Sequence, residues 1–129
     1  MQIMPITQRE YAASINMSSN ADLKDPAVNL AFGQRTLESL STAGYTQGRL
    51  PKIMAAYNAG PSPVARWESE IRDAGDPLLY MESIPYWETR GYVAVVMRNY
   101  WMYLRQADAP APSRIDLAEN DWPQFPKVR

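Results

Sequence analysis

The chain has 129 residues, 46% of them apolar, with 13 basic against 14 acidic side chains. That length suits one domain able to bury roughly two thirds of its unfolded surface without a metal or a disulfide, and no apolar run is long enough to span a bilayer. Cys and His are both absent, which excludes thiol nucleophiles, Ser-His triads, zinc clusters and histidine general bases. Ten of the 13 bases are arginines scattered along the chain, a distribution that argues against nucleic-acid binding.

Any catalysis must therefore use carboxylates, Tyr, Lys or backbone groups. Of the 14 aromatic residues, 12 are Tyr or Trp, whose flat apolar faces and polar tips suit sugar rings as well as a protein core. The sequence opens on Met1-Gln2-Ile3-Met4-Pro5, a start that does not read as a signal peptide.

The punctuation then reads as a succession of helices. Asp25-Pro26 is an N-cap followed by proline at the first helical position. A helix is expected from Pro26 to about Ala43, with Leu30, Leu37 and Leu40 on one stripe around Gly33, and Gly44 as its stop. Pro51 starts a short Ala-rich helix that ends at Gly60-Pro61. Ser62-Pro63 repeats the cap-plus-proline device, and Val64, Trp67 and Ile71 form the apolar face of the next helix. Gly75-Asp76-Pro77 closes it and opens a short helix through Leu78, Leu79 and Met81. Ile84-Pro85 is an extended break. The longest helix is expected from about Tyr86 to Gln106, buried along Val93, Val96, Met97, Tyr100 and Leu104. Residues 108–129 hold four of the 11 prolines and little periodicity, so they read as an extended tail, packed on the surface or mobile. Strand alternation is sustained nowhere, and the fold class is all-α.

Two segments concentrate functional side chains. Ala55-Ala56-Tyr57-Asn58-Ala59-Gly60 is in part an ordinary helix end, with Gly60 as the stop. That reading leaves Tyr57 and Asn58 unexplained, two hydrogen-bonding side chains placed where a groove can open. The segment from Glu82 to Val93 puts Glu88, Thr89 and Arg90 in the first turns of the long helix, where the dipole favours a carboxylate. Glu88 and Tyr92, four apart, share a face. The structural alternative is a capping ion pair, with Arg90 on Glu82 or Glu88.

Together and in this order these segments resemble the soluble lytic transglycosylases. The likeness rests on Met1 to Pro5 (MQIMP), Asp25 to Leu30 with Gly33 (DPxxN followed by an apolar residue and xxG), Ala56 to Pro61 (AYNAGP) and Glu82 to Val93 (ESIPxxETRxYV). It covers residues 1 to 104. The resemblance implies an all-α, lysozyme-like domain that cleaves the β-1,4 bond between N-acetylmuramic acid and N-acetylglucosamine, leaving a 1,6-anhydro ring. One carboxyl group serves as acid and then base, unlike the two-carboxylate scheme of most glycosidases.

In the family that acid is a Glu ahead of the MQIMP motif by a little under twenty residues. The motif stands here at Met1, so no position is assigned the acid, and Glu10, which follows the motif, is no substitute. The expected organisation is an N-terminally truncated transglycosylase domain over residues 1–106 and a proline-rich extension over 107–129. The likeness implies substrate-binding roles for Gln2 and Met4 near the acid, for Tyr57 and Asn58, for Glu88 as a buried family Glu, and for Tyr92 on the same wall. It implies no cofactor or metal. The expected partner is the peptidoglycan glycan strand, in the periplasm or cell envelope, and apolar surface uncovered by truncation favours self-association. Two alternatives stand beside the enzyme: a non-catalytic peptidoglycan-binding remnant, and an all-α interaction domain in which Tyr57 and Glu88 are structural.

Overall fold

The computed structural model describes residues 24–126. The chain divides into two compact units, residues 1–40 and 41–129. The described part of the first is helix α1, Pro26–Ser41, which runs on into the first residue of the second unit. Its entry is as expected: the Asp25 carboxylate accepts the backbone N–H of Ala27 at 2.9 Å, and proline, which has no N–H to leave unpaired, follows it. The stripe is only partly as expected. Gly33 and Leu40 are buried, but Leu30 is 62% exposed, and Phe32, off the stripe, is fully buried.

The second unit is built on α2, Leu50–Ala59. All seven residues from Leu50 to Ala56 are buried. The small side chains of Ala55 and Ala56 let neighbouring helices approach closely, and α2 packs against both α3, Pro61–Glu70, and α5, Trp87–Gln106. Between these, α4, Pro77–Ser83, lies on α5. Its start is the expected cap, with the Asp76 carboxylate accepting from the Leu79 N–H at 3.1 Å. By contrast, α3 begins at Pro61 and not after Ser62, because Gly60 already turns the chain and serves as its N-cap. Trp67, Tyr80, Ile53, Ile84, Met97 and Val93 fill the core between these helices.

The segment after α5 departs most from expectation. The long helix closes with the N–H of Asp108 on the Arg105 carbonyl and that of Ala109 on the Leu104 carbonyl, around Asp108 at φ 52°. That is the left-handed closing turn usually made by glycine. In place of a wholly extended tail the chain then forms α6, Pro112–Ala118. The same device ends it, with Asn120 at φ 63°. Asn and Asp adopt this conformation more readily than other non-glycine residues, because short polar side chains bond locally. The last described residues do run extended, and they dock. The Leu50 N–H donates to the Pro123 carbonyl at 2.7 Å and the Phe125 N–H to that of Gly48 at 2.8 Å. This antiparallel bridge between Arg49 and Gln124 is isolated, and the described residues contain no strand.

Candidate functional site

Gly60 ends α2 and begins α3 in a single residue. Its φ of 95° and ψ of 158° lie in a region open essentially to glycine alone. A Cβ there would meet only Pro63 Cδ, at an ordinary 3.9 Å, so backbone strain and not lack of space requires the glycine. The abrupt stop leaves Asn58 exposed on the last turn of α2.

A second abrupt junction faces it. Ile84, which precedes Pro85, has the extended ψ of 121° that such a residue prefers; Tyr86 is extended too, with ψ 112°, and α5 starts at once. Two contacts hold this corner. Arg90 Nε donates to the Ile84 carbonyl at 3.1 Å, so the arginine secures the backbone turn and not the carboxylate partner anticipated for it. The Tyr86 ring meets the buried Trp67 edge-on, with centroids 5.0 Å apart and planes at 89°, a favoured aromatic geometry.

The two junctions are joined by one hydrogen bond. Thr89, itself buried, donates from Oγ1 to Asn58 Oδ1 at 2.7 Å. This uses the amide oxygen and leaves the Asn58 NH₂ as a donor. The result is an open cleft of about 440 Å³ lined by Asn58, Ala59, Tyr86, Trp87, Glu88 and Thr89. Trp87 is 79% exposed, and Glu88 is exposed in the first turn of α5. An amide donor, a carboxylate and a flat indole thus share one rim. Among the described residues no three carboxylates gather closely enough to hold a metal ion.

Asn58 and Glu88, both singled out in the sequence, line this one cleft. Glu88 is exposed, however, and not buried. The inward stripe of α5 runs through Thr89, Val93 and Met97, one position on from Glu88. Tyr57 and Tyr92 do not line the cleft. Both are half-buried, and Tyr92 is near enough to act electrostatically on Tyr57. Desolvation by burial, and secondly the charge of Tyr92, push the Tyr57 hydroxyl up to about 12, and burial likewise raises that of Tyr92. The Tyr57 hydroxyl is buried without a hydrogen-bond partner, so it remains a neutral donor across ordinary pH. Gln2 and Met4 lie outside the described residues.

Trp87 and Thr89 are the cleft residues that sequence reasoning passed over. Both were legible in principle. Thr89 stands four residues before Val93 and eight before Met97, on the buried stripe. Trp87 stands off that stripe, which leaves an indole facing water.

Comparison with known proteins adds a family. The profile of the Transglycosylase SLT domain matches residues 1–78. The soluble lytic murein transglycosylase of Escherichia coli (strain K12) is 35% identical over 124 residues, which cover 92% of this chain and 18% of that protein. A putative soluble lytic murein transglycosylase of Haemophilus influenzae is 34% identical over 116 residues, 85% of this chain and 19% of that one. The soluble lytic murein transglycosylase of Salmonella typhimurium is 36% identical over 105 residues, 75% and 15% respectively. The chain thus spans less than a fifth of the length of these relatives. No solved structure matches.

Proposed function

The chain belongs to the transglycosylase SLT domain family, and from that premise we propose that its cleft holds peptidoglycan glycan strands for the lytic transglycosylase reaction. The observation that carries this reading is the Thr89–Asn58 hydrogen bond. It locks the Asn58 helix end to the Glu88 helix start, so amide, carboxylate and indole form one rigid rim. A sugar ring stacks its C–H face on an indole while its hydroxyls bond an amide and a carboxylate. Trp87 supplies the platform, and Asn58 and Glu88 supply the polar contacts.

The proton-transfer role is assigned elsewhere. A general acid for glycoside cleavage needs an environment that keeps its proton near neutral pH, ordinarily by burial. Glu88, exposed at the rim, is given a binding role instead. The acid belongs at the family position ahead of the Met1 to Pro5 motif. Cleavage to 1,6-anhydro products then needs a carboxylic acid at that position, and the cleft residues hold the strand for it. Since peptidoglycan lies outside the inner membrane, action in the cell envelope is part of the same reading. Among the described residues no helix is long and apolar enough to cross a membrane.

The test is cosedimentation with purified sacculi, alongside an assay for anhydro-muropeptides. The chain is expected to pellet with sacculi through the cleft, and the muropeptide assay reports separately whether an acid acts beside it. Trp87→Ala and Asn58→Ala should weaken pelleting at least tenfold while the helical spectrum is unchanged. A folded chain that stays in the supernatant overturns the binding role. Anhydro products released by this chain would place the acid within it, with Glu88→Gln the first variant to examine.

A further inference from the structure

A second cleft, of about 490 Å³, opens between the C-terminal half of α5 and α6. It stands apart from the first, since Trp101 follows Glu88 by thirteen residues, roughly 20 Å along the helix. Arg98, Trp101, Met102 and Arg105 line one wall. Their spacing of i, i+3, i+4 and i+7 puts all four on one face of α5. The facing wall, from α6, contributes Arg114 and Ile115.

Three features define what fits. The first is charge. Arg98, Arg105 and Arg114 are all exposed, and among the described residues none takes part in an ion pair. Asp108 is the lone carboxylate lining the cleft, so it carries two net positive charges on a chain whose formal net charge is −1. The second is an apolar floor. Met102 is 52% and Ile115 57% exposed, and the half-buried indole of Trp101 lies beside Met102 on the helix. The third is rigidity. Trp101 Nε1 donates to the buried Ser113 Oγ at 2.9 Å, which ties α5 to α6 and fixes the indole. The closing turn at Asp108 sets the angle between the two helices.

We propose that this cleft binds an acidic peptide segment, with two carboxylates flanking an apolar side chain. Arg98 and Arg105 stand roughly 10 Å apart along α5, with Trp101 and Met102 between them. In an extended peptide, residues i, i+2 and i+4 point to one face and the outer two lie roughly 13 Å apart. The flexible arginine stems span the difference. Each guanidinium takes a carboxylate through paired N–H donors, and the central side chain meets Met102 and Ile115. A small inorganic anion would leave this floor unused. A polyanion such as nucleic acid would meet one aromatic residue and no run of cations. The proposal is independent of the glycan reading, which concerns the other end of α5.

Isothermal titration of the full chain with the pentapeptide N-acetyl-Glu-Ala-Leu-Ala-Glu-amide tests it. Binding should weaken as salt rises. It should fall about tenfold in Arg98→Gln and again in Arg105→Gln, the loss of one charge-assisted contact each. Met102→Ala should weaken it several-fold, and Arg72→Gln, exposed outside the cleft, should leave it unchanged. All four positions are exposed, so the fold, followed by circular dichroism, should survive. Equal affinity for the Gln-Ala-Leu-Ala-Gln peptide would overturn the proposal, as would displacement by sulfate at peptide-like concentrations. Tighter binding of oligothymidylate, or no binding of the acidic peptide at all, would do the same.

Discussion

Lys52 is the most informative charge in this protein to remove. It lies in the buried helix α2 with its side chain only 4% exposed, paired at 2.6 Å with Glu68, which is 29% exposed. Its ammonium also lies 5.1 Å from the ring centroid of Tyr80 and 4.9 Å from that of Trp122. Those two rings meet at 5.5 Å, and Arg49 covers Trp122 at 4.6 Å. The cluster therefore clasps the C-terminal segment to α2.

Removing either partner of the ion pair breaks it, but the two losses are not equivalent. Glu68→Gln leaves an ammonium in the core without its counter-charge. For a fully buried pair that costs about 3–5 kcal/mol. The partial exposure of Glu68 and the two aromatic faces on Lys52 lower the expectation to about 2–3 kcal/mol. Lys52→Met removes the buried charge itself and keeps most of the stem. The two cation–π contacts are lost, at about 0.5–2 kcal/mol each. Relief of the ammonium's desolvation and new sulfur–aromatic contact offset most of that, while Glu68 turns to water. The net cost is about 1 kcal/mol or less. In the double variant the penalty of Glu68→Gln disappears, because no ammonium remains to be stranded. Urea unfolding followed by circular dichroism measures all three. If Lys52→Met is the more damaging substitution, or if the two effects simply add, the reasoning is wrong.

Other expectations follow from single observations. Gly60→Ala should cost about 1–3 kcal/mol through backbone strain at its positive φ, measured by the same unfolding curves; a loss below 0.5 kcal/mol, on the order of an ordinary surface change, would contradict the junction geometry. Thr89→Val should cost about 1 kcal/mol and weaken sacculus binding, since Asn58 loses the bond that fixes it. Titration of tyrosinate absorbance should show a group ionising near pH 12 that vanishes in Tyr57→Phe. Because the folded hydroxyl is raised above its unfolded value near 10, the stability it contributes is complete below pH 10 and is lost as pH rises toward 12. Tyr57→Phe should therefore flatten the fall in stability across that interval, and an unchanged fall would refute the assignment.

The helical class and most helix starts are legible in the sequence alone, because proline and capping residues act locally; ends are less so, since α3 stops at Glu70, before Ile71 and short of the Gly75 expected to close it. Asp25-Pro26, Gly60-Pro61 and Asp76-Pro77 each limit a few backbone angles, and those limits hold whatever surrounds them. The order of the motifs was enough to point to the family. Expectation failed where the deciding partner was distant in the chain. The docking of Pro123 on Leu50 goes with the meeting of Tyr80, Trp122 and Lys52, residues from three separate segments, and α6 is tied to α5 by the bond from Trp101 to Ser113. Arg90 chose a carbonyl over a carboxylate because the Ile84 turn brought that oxygen within reach. Glu88 is exposed because packing against α2 turned the neighbouring Thr89 inward. Whether Asn58, Trp87 and Glu88 form one rim was likewise decided by tertiary structure. It rests on a single bond between side chains 31 residues apart, and sequence periodicity carries no information about which two helix ends will meet.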